Sequence, residues 1–488
     1  MRSIAIVWDC GSTNLRVVAV DEKGGILAQH SQPNGTVPQP GGDPAWRVWD
    51  VDQIWKKLCR STAAVLGKVK KSRIAALTIT TWGADGTAVD PSGKLRYPLI
   101  SWQCPRTLPY IEKIKAKLSP AEIFVRTGYQ LISFNTLFKL MWLKDHAPEA
   151  LEGSVWMMTA GILSHRLTGE FSIDPTGAGT SMAMALKTRD WDPKMLEVAG
   201  IDRAIFPRWV EPGSAIGTIT PSAAAQTGLP GGIPVVATGH DTQFAIYGSG
   251  ARPDEAILSS GTWEIVIIRV ASYEPKRVVS RSGLIFEQDA VKGYLDPQFL
   301  MMGSAALEWV RANLYRSASY EKMISEAERA DASGLRFIPT FVPTAGPASP
   351  YGTPGSIVGI GLGTTPAQVY RAALEGLCFQ LRHALEVFRE AAGFTAKGIR
   401  LVGGGSKNPL WVKLRADITG LPVTITEHKE ATVLGAALFA FVGAGVYPSV
   451  RDAQRAVDVG ASTTEPSGTD EYAERYDNYR RLVRSLGT

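Results

Sequence analysis

Apolar and polar positions along the chain fall into short runs that predict strands and helices in alternation. Ile4–Trp8 is a continuous apolar run, the pattern of a strand buried on both faces, and it ends in the polar turn Asp9-Cys-Gly-Ser-Thr-Asn14. Leu15–Val20 predicts a second strand, and Asp21-Glu-Lys-Gly-Gly25 turns the chain into a third over Ile26–His30. The opening is therefore a strand meander with no helix after its first turn. Rossmann and Walker loops both run from strand into helix, and no G-x-x-x-x-G-K-[ST] occurs anywhere in the chain, which excludes a Walker-type nucleotide loop. Helical spacing covers Asp52–Gly67, Tyr110–Leu118, Thr136–His146 and Ala160–Leu167. Ile74–Thr80 reads as a β-branched strand, and Pro234–Asp241 as another that delivers Asp241 at its end.

The pattern then restarts. Ala256–Thr262 followed by Trp263–Val270 repeats the strand, polar turn and strand of the N-terminus, with Gly261 opposite Gly11 and Ile265 opposite Leu15. A single repeat of this size points to two related domains, residues 1–248 and 254–488. The second half continues with helices over Ala305–Leu314 and Ala367–Ala392. A strand over Gly398–Val402 enters Gly403-Gly-Gly-Ser-Lys-Asn408, a helix follows over Leu410–Thr419, then a strand over Pro422–Thr426 and a helix from Ala431. Glu471–Leu486 predicts a terminal helix. The fold class expected is α/β, in two halves around a cleft.

Composition narrows the function classes. The 488 residues are 45% hydrophobic and 20% charged, enough to fill two large cores. A net charge of +6 is spread thinly, and the nearest basic cluster, Lys68, Lys70, Lys71 and Arg73, sits at a helix end; no nucleic-acid partner is expected. The four cysteines Cys10, Cys59, Cys104 and Cys378 lie far apart without zinc spacing, which fits a reduced, cytoplasmic setting. Ala431–Val450 carries no charge, yet its apolar part is shorter than the roughly 20 residues a bilayer needs, so a core helix is expected and no membrane partner. The sequence leaves assembly as a homodimer open.

Candidate chemistry gathers in a few places. The turns Gly11–Thr13 and Ser259–Thr262 pair glycine with hydroxyls, presenting N–H and O–H groups that suit anionic oxygens; each alone also fits an ordinary hairpin turn. Gly403-Gly-Gly-Ser-Lys-Asn408 stands between strand and helix, and three consecutive glycines are more than one tight turn requires, so Gly404, Gly405 and Asn408 are candidate nucleotide contacts. Asp9 and Asp241 are the candidate metal and base carboxylates of a phosphoryl transfer, although either could serve as a cap. Trp82, Gly83, Asp85, Trp102 and Arg106 mix aromatic faces with charge in a way that suits a polyhydroxylated ligand, or a packed strand end.

Taken together, these stretches resemble the FGGY carbohydrate kinases over Ile4 to about Val450. Phe134-Asn-Thr-Leu-Phe-Lys-Leu-Met-Trp-Leu-Lys-Asp-His146 fits the family's first signature. Gly355–Ile360 with Gln368-Val-Tyr-Arg-Ala-Ala-Leu-Glu375 fits the second. Thr80-Thr-Trp-Gly-Ala-Asp-Gly86, Ile100-Ser-Trp-Gln-Cys-Pro-Arg-Thr107, Gly239-His-Asp-Thr-Gln-Phe-Ala245 and Leu258-Ser-Ser-Gly-Thr-Trp-Glu264 add to the match. The resemblance implies two RNase H-like, actin-like ATPase domains and transfer of the ATP γ-phosphoryl group to a ketose, L-fuculose, with L-rhamnulose and L-xylulose as alternatives. It implies Asp241 as proton acceptor and Gly83, His240 and Thr242 at the sugar, with Gln298 a further sugar contact. It places ATP at Ser12, Thr13, Asn14 and Arg16, at Gly261 and Thr262 and at Gly404, with Mg²⁺ near Asp9. The competing class is an actin- or Hsp70-like ATPase acting on a protein partner, against which the Trp82–Asp85 and Trp102–Arg106 segments argue.

Overall fold

β1 (Ile4–Cys10) is buried along its whole length because it pairs on both edges and is covered on both faces. It runs antiparallel to β2 (Asn14–Asp21), which pairs with β3 (Ile26–Pro33). α1 (Val51–Leu66) lies over this meander. The Asp50 carboxylate caps it by accepting from Gln53 N, and Val51, Ile54, Trp55, Leu58, Thr62 and Val65 form its buried stripe. One of its hydroxyls, Thr62, accepts from Trp8 Nε1 at 3.0 Å, so the strand's tryptophan is satisfied inside the core.

The computed structural model describes residues 3–271, 283–341, 354–428, 430–468 and 471–486. These form two compact units: Met1–Gly250 with Phe286–Leu295 and Glu430–Val459, and Ala251–Ile285 with Asp296–Lys429 and Gly460–Thr488. In the first, β4 (Ile74–Thr81) runs parallel to β1. Beyond the helix α2 (Thr136–His146), the sheet is completed by β5 (Ala215–Thr218) and β6 (Pro234–Val236), in the order β5-β6-β4-β1-β2-β3. The strand expected over Pro234–Asp241 stops at Val236, and Asp241 instead opens α3 (Asp241–Gly248). The reason is local: the Gly239 backbone passes so close to Asp174 and Thr176 that a Cβ there would fall 2.1 Å from Asp174 Oδ1. The chain turns where only glycine fits.

The second unit has β7 (Glu255–Ser260), β8 (Trp263–Ile267), β9 (Leu295–Met302), α4 (Pro366–Ala392), β10 (Gly398–Val402), α5 (Pro409–Thr419), β11 (Val423–Thr426) and β12 (Ala461–Thr464). Its sheet has seven strands: Ile285–Gln288 lies at the edge beside β9, and the rest follow the order β9-β8-β7-β10-β11-β12. β7, β8 and β9 form an antiparallel meander, while β10 runs parallel to β7, and β11 to β10. The first unit has the same order and directions over five strands; its edge strand β5 precedes its neighbour β6 in the chain, where β12 follows β11. The repeat therefore extends from one hairpin to five strands of a sheet. Its register differs in one respect. Cys10 pairs with Leu15, but Ser260 pairs with Glu264, so the second turn is one residue tighter and Ile265 faces Ser259.

The uncharged segment becomes α6 (Ala431–Gly443), a helix of the first unit packed on α3. Two glycines set its approach. A Cβ on Gly435 would fall 1.8 Å from the Phe244 carbonyl oxygen, and one on Gly248 would fall 1.8 Å from that of Ala431. Phe439 then packs edge-on against both Phe244 and Tyr247. No helix among the described residues is long and apolar enough to cross a membrane. Gly435→Ala must push α3 and α6 apart. It is expected to lower stability by about 1–3 kcal/mol, read as an earlier urea unfolding midpoint.

Candidate active site

Three backbone segments of the first unit converge at the carboxyl end of its sheet. Trp82 N donates to Cys10 O and Thr81 N to Gly239 O, tying the ends of β1 and β4 to the turn before α3. The β4 end carries Trp82 and Gly83; the turn carries His240, Asp241 and Thr242. A Cβ on Gly83 would stand 3.1 Å from the His240 ring and 2.7 Å from Thr180, so glycine lets the strand end lie against the imidazole. Asp241 is the first residue of α3, where unpaired N–H groups favour negative charge. Thr242 N donates to its Oδ1 at 2.7 Å, and His240 Nε2 lies 3.4 Å from the same oxygen. The Asp241 side chain keeps 31% of its surface open. Burial raises its pKa, and the His240 charge acts against that rise.

Asp9 sits at the end of β1 with its pKa raised by burial, opposed by Arg16 and raised further by the charge of Asp241. Arg16 donates to Asp9 Oδ2 and also pairs with Glu430. Its guanidinium thus bridges two carboxylates rather than projecting freely. Ser12, Thr13 and Asn14 form a partly open turn closed by Gly11 N donating to Asn14 O at 2.9 Å. Cys10 beside it is buried, and burial holds its thiol protonated.

The aromatic group separates into an open and a hidden layer. Trp102 is exposed and stands edge-on to Phe134. Asp85 is 1% exposed with both oxygens engaged: Oδ2 accepts from Trp49 Nε1 at 2.6 Å, Trp82 Nε1 at 2.8 Å and Trp102 N at 3.2 Å, and Oδ1 from Lys139. Arg106 is likewise buried, stacked between Trp46 and Trp142 and donating to Gln39. Asp85 and Arg106, expected to meet a ligand directly, are both buried and hold the tryptophans around them. The motif Phe134–His146 acquires a physical role here. Thr136 Oγ1 and Lys139 Nζ both donate to the Ala84 carbonyl, at 2.9 and 2.8 Å, and Ala84 itself is held at φ +68°. Lys139 is buried, which lowers its pKa against the pull of Asp85.

The second unit holds the other candidates. Gly261 and Thr262 are exposed at the β7–β8 turn, and a Cβ on Gly404 would meet nothing within 4 Å. Gly403 (φ +91°) and Gly405 pack onto Ser260, whose hydroxyl donates to Glu264, and Arg415 reaches both Ser260 and Glu264 from α5. Glu264 and Arg415 are buried, so the glycine loop rests on an ion pair inside the unit. Asn408 caps α5, accepting from Trp411 N at 3.1 Å and donating to Tyr370 at 3.2 Å. Gln298 is buried on β9 of this unit, and its Oε1 has no hydrogen-bond partner among the described residues.

Several residues of the first-unit site were not anticipated. Glu287, from the returning segment Phe286–Leu295, accepts from Tyr129 and Gln243 and lies 3.2 Å from His240 Nδ1. Asp174 and Thr176 support the turn, with Thr176 Oγ1 accepting from His240 N at 2.9 Å. The only sequence signal for Glu287 is a carboxylate inside an apolar strand pattern, Leu284-Ile-Phe-Glu287.

Two sheets of shared strand order, one in each unit, give the chain the two-domain, actin-like ATPase fold. The fold is shared with the xylulose kinase of Rhodospirillum rubrum, at a TM-score of 0.88 and 22% identity, covering 100% of this chain and 99% of that one. The chain belongs to the FGGY family of carbohydrate kinases: the N-terminal domain model matches residues 4–248 and the C-terminal domain model residues 256–444. It is 37% identical to the L-fuculokinase of Escherichia coli (strain K12), over 97% of this chain and 99% of that protein. It is 28% identical to the glycerol kinase of Bdellovibrio bacteriovorus, over 93% of each. The protein is a carbohydrate kinase, and kinase chemistry entails ATP use.

Asp85→Asn leaves Lys139 buried without its counter-ion. It is expected to lower stability by about 3–5 kcal/mol in urea unfolding, with Asp85→Asn/Lys139→Met recovering most of the loss.

Proposed function

We propose that this chain transfers the γ-phosphoryl group of ATP to the primary hydroxyl of a ketose, L-fuculose, forming L-fuculose 1-phosphate and ADP. The observation that carries the reaction is the placement of Asp241: a partly open carboxylate at the tip of α3, fixed by Thr242 N and flanked by His240 and Gly83. It takes the hydroxyl proton as the sugar oxygen bonds to the γ-phosphorus and the bond from that phosphorus to the ADP oxygen breaks. The substrate assignment is supported by 37% identity to an L-fuculokinase over nearly the full length, against 28% to a glycerol kinase.

Residues 1–248 supply the base and the sugar contacts at Gly83, Trp102, His240 and Thr242. Trp82 backs them, held by Asp85. Residues 254–488 supply nucleotide contacts at Gly261, Thr262, Gly404 and Gly405, with the Ser12–Asn14 turn offering further donors. Mg²⁺ fits this donor set. Among the described residues no three metal-binding side chains cluster, and a Mg²⁺ ion is commonly held by one or two carboxylates with water and phosphate oxygens. Asp9 is the carboxylate that would hold it, since Arg16 engages only Oδ2. The ion would shield the phosphate charge.

In a coupled ATP assay, Asp241→Asn is expected to lower kcat about 10²–10⁴-fold while leaving the KM for ATP within a fewfold. Near-full turnover would remove Asp241 from the base role. Across L-fuculose, L-rhamnulose and L-xylulose, kcat/KM is expected to be highest for L-fuculose; another ranking would reassign the substrate.

A further inference from the structure

Glu287 is 3% exposed and lies in the segment Phe286–Leu295, which the chain returns to the first unit after leaving it. Nothing about its position in sequence ties it to Asp241. In space it grips residues on either side of Asp241, His240 and Gln243. Its Oε2 faces His240 Nδ1 at 3.2 Å and accepts from the side-chain amide of Gln243, while Oε1 accepts from Tyr129. His240 stands immediately before α3 and Gln243 lies within its first turn, so one buried carboxylate clamps the turn that carries Asp241 between them.

The geometry also fixes the imidazole. With Nδ1–H donated to Glu287, the other nitrogen, Nε2, is the one left facing Asp241 Oδ1 at 3.4 Å and Thr242 Oγ1 at 3.5 Å. The Gly83 backbone confines the ring on one side, and the His240 backbone N–H is itself fixed by donating to Thr176 Oγ1. The charged groups facing His240 are Glu287 from the strand Ile285–Gln288, Asp241 from α3 and Asp174 from the 172–179 stretch; Glu287 in turn also faces Tyr129 and Gln243, which are neutral. Three carboxylates around one imidazole favour the cation.

On the reading that Asp241 is the base, we propose that Glu287 is a positioning residue for phosphoryl transfer. It holds the His240 imidazole doubly protonated with Nε2–H aimed at the Asp241 carboxylate, and so keeps that carboxylate ionised in a site whose burial favours the neutral acid. The electrostatics agree in sign. Burial by itself lowers the His240 pKa, but Glu287 first, then Asp241 and Asp174, raise it to about 9. Burial raises Asp241, and the His240 charge is the largest influence lowering it; the direct repulsion from Glu287 is weaker. Removing the Glu287 charge therefore frees His240 to become neutral near pH 7, and Asp241 then binds its proton at a higher pH.

The experiment compares Asp241→Asn, Glu287→Gln, His240→Asn and the Glu287→Gln/His240→Asn double variant in the full chain, with L-fuculose and Mg-ATP, as kcat/KM against pH. Glu287→Gln keeps the size and the acceptor but not the charge. It is expected to lower kcat about 10–100-fold and to move the acid limb of the profile up by about one pH unit. In the His240→Asn background the same change is expected to add less than about twofold, because its effect runs through the imidazole. A Glu287→Gln variant within twofold of the parent with an unmoved acid limb overturns the proposal, as do losses that multiply in the double variant. Turnover retained by Asp241→Asn overturns the base assignment itself, and the proposal with it. Should Glu287→Gln fail to fold, ¹⁵N NMR of the unaltered protein at pH 7.5 decides: both His240 ring nitrogens protonated supports the proposal, and a neutral ring overturns it.

Discussion

Burial of charge is the constraint around which the first unit is arranged. Asp9, Asp85 and Glu287 are each less than a tenth exposed, and each lies at or behind the ends of strands that the sheet removes from water. Carboxylates placed there either bind protons or find cations and donors. Asp9 has Arg16, Asp85 has Lys139 and two indoles, and Glu287 has His240, an amide and a phenol. Asp241 differs from the other three: it is the most open, and its nearest cation is shared with Glu287. A carboxylate so weakly committed fits the proton acceptor proposed above.

The backbone makes this arrangement possible through close approach. Gly239 passes Asp174 and Thr176, Gly83 lies on the His240 ring, and Gly248 and Gly435 bring α3 and α6 into contact at their backbones. A side chain at any of these positions would move α3, and with it Asp241. The second unit uses the same device for its glycine loop. Gly403 and Gly405 sit on Ser260 above the buried Glu264–Arg415 pair, while Gly404 stays open. No neighbour lies within 4 Å of a Cβ built on the middle glycine, whereas the glycines on either side of it are fixed against Ser260.

Sheet order shows how far one hairpin could lead. The repeated strand, turn and strand was visible in the apolar pattern, and the structure extends it to two sheets of the same order and direction over five strands. The one-residue difference at the second turn was not visible, because both registers leave an apolar residue near the turn. It places Glu264 inward, where the first unit has Leu15, and that substitution seats Arg415 under the nucleotide candidate loop. Asp85 and Arg106, read from the sequence as ligand contacts, are both buried. Residue type marks a site as polar and aromatic, but only packing decides which layer faces out.

The sequence by itself determined the meander at the N-terminus, its recurrence near residue 256, the absence of a Walker loop, the helices over Thr136–His146 and Glu471–Leu486, and the family. These follow from local periodicity and contiguous motifs, which need no knowledge of distant partners. Tertiary structure alone decided that Asp241 begins a helix, that Arg16 bridges Asp9 and Glu430 across 414 positions of chain, and that Glu287 stands behind His240. Those contacts join segments far apart in sequence. Their energies come from sharing a desolvated site, a property of the folded unit and not of any one stretch of it.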